Sequence, residues 1–184
     1  MNATALRRRK ARADPQPLKM VEVTVPRATL EAAEEFARHF GLTPEMVMEG
    51  QFYMELESFG DDLLEALVRA DQRPPIADPV TVQLSILAEA MELTAIAAKV
   101  LNRPLGWLVT LFVEGGTDLV WRQMKNAEEE GNLADDTDVQ DQAKTIFSHS
   151  MCARAGKFPK TCEYDAWVQL GIDRPKKKGG SARA

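Results

Sequence analysis

The chain has 184 residues, 45% apolar and 28% charged, with only two cysteines, which excludes a wholly disordered, collagen-like or disulfide-dense protein and allows one domain or two small ones sharing a core. Its net charge of −5 conceals a separation: residues 1–20 hold six bases and one acid, residues 171–184 hold five bases and one acid, and residues 21–170 are left with −14. Any nucleic-acid reading of such an acidic body must therefore say which part meets the phosphates.

Residues 1–19 have no apolar periodicity and carry Arg7-Arg8-Arg9-Lys10-Ala11-Arg12. Asp14, Pro15 and Pro17 follow where a secretory signal needs an apolar run, so this segment is expected to be a disordered basic arm and the protein to be cytoplasmic. Over 20–60, Val21 to Val25 alternates with valines on one face and Glu22 and Thr24 on the other, and Pro26 ends the strand. Leu30, Ala33, Phe36, Ala37 and Phe40 then recur at helical spacing, with Gly41 at the expected C-terminal cap. Thr43-Pro44-Glu45 supplies a capping hydroxyl, a first-turn proline and a carboxylate near the positive end of a second helix.

Residues 61–78 read as a partly helical connector ended by Pro74-Pro75. The strand, helix, helix order returns over 79–124: Val80, Val82 and Leu84 alternate with Thr81, Gln83 and Ser85, a helix runs from Ile86 to Leu101, Asn102-Arg103-Pro104 punctuates it, and another helix starts at Leu105. The valines of the two strands match at a step of 59, and Pro44 with Pro104 at 60. An internal repeat, or two amphipathic hairpins alike by coincidence, fits this pattern. The helix 86–101 is apolar on nearly every side, which predicts burial all round, under C-terminal helices or under another chain as a homo-oligomer. Phe36, Phe40, Ile96 and Val100 are expected in one core. Residues 125–172 form an accessory helical region, and 173–184 a disordered basic tail with Lys176, Lys177 and Lys178. No stretch reaches the roughly 20 apolar residues of a membrane span.

A strand of about six residues, a helix, a turn and a second helix opening on Thr-Pro-Glu, repeated in one chain, resembles the ribbon-helix-helix family of DNA-binding proteins. The resemblance covers under half the chain and rests on element order more than on marker side chains. It implies a mainly α fold with a short two-stranded antiparallel ribbon, a tandem ribbon-helix-helix pseudo-dimer plus C-terminal helices, with the ribbon laid in the major groove. One unit alone leaves a strand edge unpaired and too little apolar surface buried, and a second supplies the missing half.

On that resemblance the base-reading positions are Thr24, Thr81, Gln83 and Ser85; glutamine suits adenine, and the hydroxyls serve several bases. Glu22 accepts only from cytosine N4 and repels phosphate. The plainer reading is ordinary solvent-facing strand residues. Phosphate contacts are expected from Arg7, Arg8, Arg9, Lys10 and Arg12, and from Arg103 at a helix start; solubilising tails and a plain helix cap are the competing readings. His149, Cys152 and Cys162 have poor zinc spacing, so no metal and no cofactor is expected. No nucleophile with a base, phosphate loop or paired-carboxylate signature marks an enzyme. The expected function is a sequence-specific DNA-binding transcriptional regulator. The alternative is an antitoxin-like interaction protein whose acidic surface engages a basic protein partner on the same scaffold.

Overall fold

The computed structural model describes residues 15–58 and 75–159. Its elements are β1 (Leu18–Pro26), α1 (Arg27–Phe40), α2 (Pro44–Ser58), β2 (Pro79–Leu87), α3 (Ala88–Val100), α4 (Leu105–Glu129) and α5 (Thr137–Arg154). The protein is mainly helical, and the described residues include a two-stranded antiparallel sheet. The strands pair in a register that sets Met20 opposite Ser85, Glu22 opposite Gln83 and Thr24 opposite Thr81. Val23, Val25, Leu84 and Ile86 are buried beneath the ribbon, while Glu22, Thr24, Thr81 and Gln83 face outward. Period-2 alternation thus sorts the residues as expected, and pairing extends to Leu18 and Leu87, beyond the expected strand ends.

A step of 61 residues recurs through the fold. It separates the starts of β1 and β2, of α1 and α3, and of α2 and α4. The left-handed residues that end α1 and α3, Gly41 (φ 69°) and Asn102 (φ 54°), are related by it, and both residue types tolerate that conformation. So are two bonds that prolong the ribbon, Arg27 N–H to the Asp78 carbonyl and Ala88 N–H to the Pro17 carbonyl, each 3.0 Å. A third related pair fixes the outer strand edges. Glu49 of α2 accepts from Ser85 N–H at 2.9 Å, and Thr110 of α4 donates its hydroxyl to the Thr24 carbonyl at 2.9 Å. The valine match at 59 is two residues short of this step. A slip of two leaves every side chain on the same face, which is why the faces were legible although the step was not.

Burial departs from expectation in one respect. The helix buried all round is α2, where Val47 to Tyr53 are buried without a break. It crosses α5 at Gly50, where a Cβ would lie 2.8 Å from the Ile146 backbone, and α4 at Gly116, where a Cβ would lie 2.6 Å from the Gln51 side chain. Gly115-Gly116 accordingly sits inside one continuous helix, not at a break. In contrast, α3 exposes Leu93 and Ile96, so Ile96 is not a core residue. Phe36 is fully buried and Phe40 packs at the core margin; the side chain of Val100 lies outside the described residues. Asp136 caps α5, accepting from the backbone of Asp138 and Val139 at 3.0 and 3.1 Å, which gives the acidic run at 135–138 a structural use.

Candidate nucleic-acid interface

The outward face of the ribbon carries Met20, Glu22 and Thr24 from β1 against Ser85, Gln83 and Thr81 from β2. Four of the expected readers, Thr24, Thr81, Gln83 and Ser85, therefore share one surface. Thr24, Thr81 and Gln83 are exposed, and Ser85 is half-buried. Glu22 stands opposite Gln83 at the centre, because the register and the 61-residue step coincide at that pair. Met20, 64% exposed, is a residue that sequence reading missed as part of this face. Its signal was there: Met20, Glu22 and Thr24 continue the period-2 alternation backwards. The Ser85 hydroxyl donates to Met20 Sδ at 3.2 Å.

The ribbon is held from beneath and along its edges. Glu49 is almost fully buried, and besides Ser85 N–H it accepts from the Ser150 hydroxyl at 2.8 Å and from Arg154 Nη2 at 3.2 Å, tying β2 to α5. The Tyr53 hydroxyl accepts from Leu87 N–H at 2.9 Å, and burial pushes the phenol pKa up. These bonds occupy N–H groups on the free edge of β2, groups that an unpaired edge otherwise presents to other strands.

The two second-helix starts differ. Thr43 caps α2, its Oγ1 accepting from Met46 N–H at 3.3 Å. At the start of α4, Pro104 provides no side-chain cap, and Gly106 is exposed to open space, so first-turn amides and the positive end of the dipole face outward there. Arg103, next to that start, is half-buried with its guanidinium 5.6 Å from the Trp107 ring centroid. Arg7, Arg8, Arg9, Lys10 and Arg12 lie outside the described residues, as do Lys176, Lys177 and Lys178. The described chain begins at Pro15, and Gln16 is anchored by its N–H to the Gly156 carbonyl at 2.7 Å and by its side chain to Glu89. The described chain thus starts at the Leu18–Leu87 end of the ribbon.

Away from the ribbon, α1 and α4 enclose a cleft of about 340 Å³ whose lining includes Glu31, Glu35, Asp118, Trp121 and Arg122. Glu35 accepts from Trp121 Nε1 at 2.7 Å and Lys125 Nζ at 2.9 Å. The indole bond first, and the ammonium second, hold its carboxyl below the usual range. His149 and Cys152 are buried, Cys162 lies outside the described residues, and no group of three metal-ligating side chains occurs among those described. No described helix is long and apolar enough to cross a membrane. Comparison of the chain with protein-family models, curated proteins and solved structures gives no match.

Proposed function

We propose that the chain is a sequence-specific DNA-binding protein, a regulator in which two diverged ribbon-helix-helix units within one polypeptide form a pseudo-dimer. The observation that carries this reading is the 61-residue step. It relates both strands, both helix pairs, both left-handed caps and the two strand-edge bonds from Glu49 and Thr110, as a two-fold axis through the Glu22 and Gln83 pair would. The face normal to that axis offers Thr24, Thr81 and Gln83 to base edges, uncharged groups that read hydrogen-bond patterns without neutralising phosphate. The uncapped start of α4 beside Arg103 supplies one phosphate position. Arg7, Arg8, Arg9, Lys10 and Arg12 precede β1 in the chain, and their charge offsets part of the −14 of residues 21–170.

Binding to random and operator-selected duplexes across a salt series tests the reading. Deleting residues 1–13 should flatten the slope of log affinity against log salt, because fewer counterions are released. Thr81→Ala with Gln83→Ala should lower discrimination by about tenfold and leave non-specific binding intact. Absence of binding at low salt would reject the proposal.

A further inference from the structure

Helix α3 carries an apolar surface that no described residue covers. Leu93 is 44% exposed and Ile96 61%. The positions 61 residues earlier on α1 are Ala32 and Glu35; Ala32 is buried, and Glu35 is clamped by Trp121 and Lys125 from the second half of α4. At about 100° per residue, Glu92, Leu93, Ile96 and Lys99 fall within an arc of about 120°. Glu92 and Lys99 lie on one flank of Ile96, and Leu93 on the other.

We propose that this face joins two copies of the chain, through an antiparallel pair of α3 helices about a two-fold axis beside Ile96. The placement of charge selects a second copy as the occupant. Glu92 and Lys99 are both exposed, and among the described residues no ion pair or side-chain hydrogen bond engages either. Separated by about 10 Å of helical rise, they do not reach each other on their own helix. Glu92 stands about 6 Å before Ile96 and Lys99 about 4.5 Å after it. Reversing one α3 against another therefore brings Glu92 level, to about 1.5 Å, with the partner's Lys99 on the same side of the seam. The pairing occurs twice. A self-associating contact of this symmetry needs one patch complementary to itself, and acid, two apolar residues and base in that order provide it. A parallel pair would instead carry the partner's Glu92 and Lys99 to the opposite side of the seam, where neither pairing forms.

Sedimentation velocity of the full chain over a wide concentration series tests the proposal. The mass should rise from 20.4 kDa towards twice that value. Ile96→Asp should remain at 20.4 kDa. Lys99→Glu and Glu92→Lys should each raise the dimer Kd by about tenfold, since each replaces two attractions by two repulsions, and the double exchange Glu92→Lys with Lys99→Glu should restore it. All three side chains are exposed, so far-ultraviolet circular dichroism spectra matching the parent's would separate lost association from lost folding. A parent chain that stays at 20.4 kDa throughout would overturn the proposal and show that chain outside the described residues covers the face. A dimer indifferent to Ile96→Asp, or one that the double exchange fails to restore, would also overturn it.

Discussion

A buried carboxylate is tolerated only when its oxygens are occupied, because desolvation otherwise costs several kcal/mol. Glu49 meets that condition with Ser85 N–H, the Ser150 hydroxyl and Arg154, so one side chain joins the ribbon, the central helix and α5. Glu49→Ala should destabilise the fold by about 2–4 kcal/mol, since it strands the Ser150 hydroxyl and the outer-edge amide of β2. Chemical denaturation checks this, and a loss below about 1 kcal/mol would show those groups finding water instead. Nothing local to Glu49 announces the role in the sequence, where Met-Val-Met-Glu-Gly-Gln-Phe reads as a half-polar helix. Burial of its polar positions depends on partners 36 to 105 residues away. Ribbon side chains, by contrast, were legible, because strand alternation is a property of adjacent residues and needs no distant partner.

At the level of elements, α1 and α3 follow their strands in the same way and have different surroundings. The expectation that α3 would be buried all round treated apolar content as a measure of burial, whereas burial depends on which elements pack against a helix. Helix α4 runs to Glu129 and reaches back over α1 through the contact of Trp121 and Lys125 with Glu35. This clamp makes the pairing of α1 with α4 sensitive to acid. The folded-state carboxyl of Glu35 is depressed, so its contribution is present above the ordinary glutamate value of about 4.3 and is lost as pH falls through the lower folded value. Glu35→Gln should therefore melt below the parent at neutral pH, and the gap should close in that acid window. A gap of constant size from neutral to acid pH would show that the ionised carboxylate contributes nothing. Glu55 has the opposite sign, since burial raises its carboxyl, and it opposes folding once ionised.

For the whole molecule, the separation of charge was readable from position alone, and so was the mainly helical architecture with a short antiparallel ribbon. The 61-residue step was not, since a shift by two preserves every face and valines align equally well at the wrong distance. Joining both strands in one chain also governs how the protein reaches its native state. Glu22 meets Gln83, 61 positions further along the chain, so the ribbon is a long-range contact that no hairpin turn can nucleate, and ordering it must close a large loop first. Helical segments can form in isolation on the ribosome, but the sheet waits until Leu87 has emerged. Refolding should accordingly show early helical signal by circular dichroism and a later phase in which Thr110 and Tyr53 engage the strand edges. Because both strands belong to one polypeptide, the rate of that later phase should not change with protein concentration in stopped-flow mixing. A rate rising in proportion to concentration would mean that the ribbon is completed between chains.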